Sequence, residues 1–194
     1  MTNKRKGQLP DIKDIPFQAQ IMLREAEQYQ NGSKLLSEEI FEDTGNSSNM
    51  LSLTALEISL KALYLVEKKQ KYPNNSHSFY NLFKSLNGKT QNVLLKHANE
   101  IAANEFNQTF NFINALREFQ KNFTDARYGY EANWHLSSGQ IFQKTRASTK
   151  PSELKEQSSP DFKFFPSERE IFYRATKITL IEKLTRTLPD PTNT

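Results

Sequence analysis

Between Met50 and Lys69 the chain carries two apolar stripes at helical spacing: Leu53, Leu56, Leu60 and Leu63 form one, and Leu51, Ala55, Ile58, Ala62 and Leu65 the other. Residues three and four apart share a helix face, so a helix with a single stripe rests against one neighbour, whereas two stripes require cover on most sides. A chain holding such a segment has to place other elements around it. Before residue 135 no period-two alternation competes with the helical pattern, so those elements are expected to be helices.

Residues 1–14 read as a flexible tail, and Pro10 and Pro16 delay the first helix to near Phe17. That helix carries Ile21, Leu23, Ala26 and Tyr29, and Leu35, Leu36, Ile40 and Phe41 extend its apolar side past a weak point at Asn31-Gly32. Thr44 to Asn49 reads as a loop. After the central segment, Tyr72 to Ser76 breaks the chain. Ser76 is placed to cap a short helix bearing Phe79, Leu82, Phe83 and Leu86, which Asn87-Gly88 would end. Thr90 opens a longer helical region in which Leu94, Ala98, Ile101 and Ala102 give way to Phe112, Leu116, Phe119 and Phe123, with a break over Asn104 to Gln108. The core expected from these stripes is Leu56, Leu60, Leu63, Phe79, Leu82, Leu116, Phe119 and Phe123. Past Trp134 the prolines and serines of residues 136–166 read as an extended arm or insert. A final helix over 167–188 starts at the capping box Ser167-Glu168-Arg169-Glu170 and presents Ile171, Ile178, Ile181, Leu184 and Leu188, leaving a tail at 189–194. The expected fold class is all-α: an antiparallel bundle of four or five helices over residues 15–135, an arm, and a C-terminal helix packed on that bundle or on a partner subunit.

The 36% of hydrophobic residues is low, but 14 Phe and 7 Tyr in 194 residues give enough bulk to close one domain core. With no cysteine, disulfide frameworks and thiolate metal sites are excluded, which suits the cytoplasm. The basic start Lys4-Arg5-Lys6 is followed by Gly7 to Asp11 where a signal peptide needs an apolar stretch, and nowhere do about eighteen apolar residues run together, so neither export nor a membrane partner is expected. The three histidines lack a three- or four-residue spacing and the six glycines are scattered. No metal site, phosphate loop or cofactor is therefore expected. His97, between Lys96 and Ala98, is expected on the surface. The formal charge of +4 permits a polyanionic partner, and an ordinary solvated surface carries the same balance.

Three stretches, read in order, resemble the HEPN superfamily of small helical bundles: Ala55-Leu56-Glu57-Ile58-Ser59-Leu60-Lys61-Ala62-Leu63, then Ser76-His77-Ser78-Phe79-Tyr80-Asn81-Leu82, then Ala126-Arg127-Tyr128-Gly129-Tyr130. In that family a glutamate and a lysine lie one turn apart on a buried helix, a histidine opens the next helix, and an Arg-Tyr pair closes the bundle. Glu57, Lys61, His77, Arg127 and Tyr128 stand in those places. The resemblance spans about residues 15–135. It implies a cytoplasmic homodimer in microbial defence or stress response, toxin–antitoxin settings included.

Many members of the family are metal-independent ribonucleases in which an arginine holds phosphate and a histidine does acid–base work while the RNA 2′-hydroxyl attacks. By that resemblance the catalytic candidates are Arg127 and His135, set farther apart than the family's pair. Eight helical steps separate two Cα atoms by about 12 Å and turn them about 80° apart, so they meet at one phosphate only through a kink at Gly129 or across a dimer axis. The preferred expectation is instead a dimeric binding module for a nucleotide, RNA or protein partner. Its groove would lie near Arg127, Tyr128 and Tyr130, where guanidinium meets phosphate and tyrosine stacks on a base, with His77, Glu57 and Lys61 alongside. Each residue also has an ordinary structural reading. Glu57 and Lys61 suit an ion pair, His77 a bonded helix start, and Arg127 a partner for Glu57 or Glu131 with the tyrosines in the core.

Overall fold

The computed structural model describes residues 14–38, 45–72, 77–107, 109–128 and 166–187. Among these the chain is all-α, with helices α1 (Ile15–Glu38), α2 (Gly45–Lys68), α3 (Phe79–Ser85), α4 (Gly88–Phe106), α5 (Phe112–Tyr128) and α6 (Pro166–Thr187). The doubly striped segment is α2, and α1, α3, α5 and α6 all pack on it. Leu53, Leu56, Leu60 and Leu63 are buried along one stripe, and Ala55, Ala62 and Leu65 along the other. By length and apolar composition Ser47–Lys68 would also suit a membrane span, but 72% of its apolar window is buried inside the fold. All eight expected core residues are buried.

Contacts between helices fix their directions. Ser33 and Ser48 each donate through Oγ to the other's carbonyl oxygen at 2.9 Å, joining α1 to α2 near their connection. Lys34–Glu170 (3.4 Å) and Lys177–Glu27 (2.6 Å) set α6 antiparallel to α1. His97–Glu182 (3.2 Å) and Arg174–Glu105 (2.5 Å) set it antiparallel to α4. Arg169 Nη1 donates to the Asn49 carbonyl oxygen (3.2 Å) and Lys183 approaches Glu67 (3.4 Å), so α6 runs parallel to α2. The C-terminal helix thus docks on its own chain, burying Ile171, Phe172, Ala175, Leu180 and Leu184.

Several local boundaries differ from the sequence expectation, each for a visible reason. Helix α1 runs unbroken through Asn31-Gly32; a Cβ on Gly32 would meet Leu51 Cδ1 at 3.3 Å, so the glycine permits close approach of α1 and α2. The loop expected up to Asn49 gives way to helix from Gly45, with Ser48 and Asn49 buried, the Ser48 hydroxyl bonded to Ser33 and the Asn49 backbone carbonyl oxygen to Arg169. The cap of α3 is Ser78, whose Oγ accepts from the Asn81 N–H (3.3 Å); Ser76 lies outside the described residues. Gly88 starts α4 instead of ending α3. The break before α5 falls at Asn107, in the left-handed region (φ 49°), and Asn111, whose Oδ1 accepts from the Asn114 N–H (3.1 Å).

At the other end, Pro166 takes the first position of α6, where its missing N–H costs nothing, and this places Ser167 inside the first turn while Glu170 pairs with Lys34. The apolar side proposed for this helix is partly displaced, because Ile178 and Ile181 are 38% and 43% exposed. The tails, the arm up to residue 165, and Ile40, Phe41 and Leu188 lie outside the described residues.

Candidate functional site

The i, i+4 pair on α2 is formed. Lys61 Nζ lies 2.5 Å from Glu57 Oε1, and the Glu57 side chain is only 8% exposed. The same oxygen takes a second partner from outside the helix: His77 Nδ1 lies 3.0 Å away. A buried carboxylate is costly unless paired and hydrogen-bonded, and here a lysine and an imidazole share the task. His77 sits directly before Ser78, the α3 cap, so the start of a seven-residue helix sets its position.

The imidazole is held on a second side by aromatic contact. Its ring centroid lies 5.8 Å from that of Phe123 on α5, and Phe123 meets Phe79 edge-on at 5.9 Å, with Phe119 against Phe79 at 6.1 Å. Phe79 and Phe119 are fully buried, so the platform under His77 is anchored in the core. His77 nonetheless keeps 48% of its side chain exposed. With Nδ1 committed to Glu57, Nε2 is the nitrogen left for a ligand. Nearby on the α3–α5 seam, the Arg117 guanidinium stacks over the Tyr80 ring at 4.7 Å, so this cation is already engaged by an aromatic face.

Of the sequence candidates, Glu57, Lys61 and His77 come together. Arg127 and Tyr128 lie on the last turn of α5, with Arg127 four residues, one helical turn, beyond Phe123. Tyr130 and His135 lie outside the described residues, and so does the Arg127–His135 pairing. His97 corrects its surface expectation: its side chain is 19% exposed, with Nε2 3.2 Å from Glu182 of α6 and Nδ1 3.6 Å from Glu100, where it links α4 to α6. Among the described residues, no three His, Asp or Glu side chains gather as a metal site.

Two polar features escaped the sequence reading. Glu67, 3% exposed, caps α4 from α2: Oε1 accepts from the Asn87 N–H at 2.5 Å, and Oε2 accepts from Thr90 Oγ1. Burial pushes its carboxyl upward, but the hydrogen bonds from Thr90 and Asn87 and the Lys183 charge outweigh this and hold it below the ordinary range. Arg169 is buried, which lowers its guanidinium to about 10, and it spans from α6 to the α2 backbone. Only the pairing of residues distant in sequence reveals these roles. No protein-family model, curated protein or solved structure matches the chain.

Proposed function

We propose that this chain is a HEPN-like binding module, acting as a homodimer, that holds a phosphate-bearing ligand, a nucleotide or RNA, at the His77 cluster beside Phe123 of α5. The observation that carries the reading is the half-exposed His77 imidazole, pinned through Nδ1 to buried Glu57 and lying tilted against the Phe123 ring. A ring fixed on two sides presents its remaining nitrogen with little loss of conformational entropy when a ligand binds. Lys61 adds positive charge on the same carboxylate, and Arg127 and Tyr128 follow Phe123 in the sequence of α5, residue types suited to a phosphate and to a base. An arginine in a helix's last turn also favours the C-terminal dipole without any ligand, so binding and stability have to be read separately.

The test is fluorescence polarisation with a short labelled RNA and a labelled nucleotide, run on the full chain. His77→Ala and Arg127→Ala should each weaken binding about tenfold or more, the value of a charge-assisted hydrogen bond. Lys96→Ala, which removes a lysine 71% exposed and paired with Glu100, should change it by less than about twofold. Equal losses in all three variants would reduce the site to general electrostatics and end the reading. RNA cleavage in EDTA that both Arg127→Ala and His135→Ala abolish, with helicity unchanged, would replace it with the ribonuclease.

A further inference from the structure

A cleft of about 390 Å³ opens between α1 and α6 and shares no residue with the His77 cluster. Two of its lining side chains, Gln30 and Tyr173, are 7% and 4% exposed, and neither Gln30 Oε1 nor the Tyr173 hydroxyl has a hydrogen-bond partner. Buried polar atoms are nearly always paired, so two orphans in one cleft require an explanation. Above them stand two ion pairs that bridge the helices, Lys177–Glu27 and Lys34–Glu170, with side chains between 36% and 54% exposed. Exposed pairs of this kind contribute less than an orphaned buried polar atom costs, so the cover is held more weakly than the floor is strained.

The charges of the cleft are already balanced. Lys177 and Lys34 are matched by Glu27 and Glu170, and Arg174 at the edge is bound in bidentate fashion to Glu105 (2.5 and 2.6 Å). A charged ligand would have to displace one of these partners, whereas a neutral one would not. The floor presents one acceptor, the Gln30 amide oxygen, and one donor, since burial and the Glu27 charge push the Tyr173 hydroxyl up to about 12 and keep it protonated.

We propose that this cleft binds a small neutral molecule presenting a hydrogen-bond donor beside an acceptor, as a carboxamide or a vicinal diol does, with Gln30 Oε1 receiving the donor and the Tyr173 hydroxyl serving the acceptor. The ion pairs act as a cover that parts to admit it. Saturation-transfer NMR on the full chain tests this with nicotinamide as the carboxamide, methyl β-ribofuranoside as the diol and inorganic phosphate as the charged control. One neutral probe should bind saturably without competition from phosphate, and which one does so identifies the group. Tyr173→Phe should weaken that binding about tenfold, the worth of one hydrogen bond, while its melting temperature stays at or above that of the parent because an unpaired buried hydroxyl has gone. Gln30→Leu should weaken binding similarly, and Lys34→Gln with Lys177→Gln should preserve or tighten it. Three results would each overturn the proposal: no saturable binding of either neutral probe, as for a floor filled by water alone; equal binding by Tyr173→Phe; or a Tyr173→Phe chain that melts lower or fails to fold.

Discussion

Glu57 shows how one side chain can serve packing and presentation together. Its carboxylate is buried on the central helix, yet a single oxygen contacts Lys61 and His77, so the charge that α2 has to bury is also what aims the imidazole. Glu57→Gln keeps the shape and removes the charge, and it should lower stability by about 1–3 kcal/mol in chemical denaturation. Leu60, 1% exposed in the same helix, is a pure packing residue, and Leu60→Ala should cost about 2–5 kcal/mol by the same measurement without touching His77. The eight core residues were legible because each is a large apolar side chain at helical spacing. The buried arc of α6 was not, since it includes Thr176 and Thr179, which read as polar. Their hydroxyls donate back to the Phe172 and Ala175 carbonyl oxygens at 2.7 and 2.8 Å, which satisfies them internally and rotates the buried face away from Ile178 and Ile181. At the site, Glu57–Lys61 was legible from local spacing and His77 as a bonded helix start, whereas the reach of His77 to Glu57 across twenty residues and its seat on Phe123 had no sequence signal.

At the scale of elements, helix ends decide how the bundle is joined. The start of α4 has no side-chain cap from Asn87, whose Oδ1 instead accepts from Lys68 Nζ at 2.6 Å, and Glu67 on α2 ties this helix start down by accepting from the Asn87 N–H and the Thr90 hydroxyl. Because the folded-state carboxyl of Glu67 lies below its unfolded value, its stabilisation is complete above the ordinary carboxylate range and fades as pH falls through the folded value. Melting followed between neutral pH and about pH 3 should therefore show an acid loss that Glu67→Gln reduces, at a cost at neutral pH of about 1–2 kcal/mol. A shared acid slope in both proteins would remove Glu67 as its source. Gly32 offers the opposite case. A methyl group there needs Leu51 Cδ1, the free end of a half-buried side chain, to yield by a few tenths of an ångström, while alanine regains about 1 kcal/mol of helix propensity. Gly32→Ala should raise the melting temperature by a few degrees, and a fall would mean that the α1–α2 approach is too tight to give.

For the whole molecule, the docking of α6 on α1, α2 and α4 leaves the outward faces of α1 and α6 side by side, joined by Lys177–Glu27 and Lys34–Glu170. Phe17 and Ile21 of α1 are 64% and 48% exposed, and Ile178 and Ile181 of α6 38% and 43%. Continuing the antiparallel register one turn past Lys177–Glu27 brings Ile181 level with Leu23, so the two isoleucines of α6 lie at the end of α1 that carries Ile21. Single exposed apolar residues are ordinary, but Ile181 follows Lys177 by one turn on the side of α6 that meets α1, so the proposed homodimer is tested there without α6 leaving its own bundle. Sedimentation at micromolar concentration should show twice the 22.5 kDa chain mass. Covering an isoleucine contributes about 1.5–3 kcal/mol, so Ile181→Asp should raise the dissociation constant at least about tenfold while the helical circular dichroism is unchanged. A parent chain that sediments only as a monomer would refute the dimer. A dimer indifferent to Ile181→Asp would keep it and move its interface off the α1–α6 face.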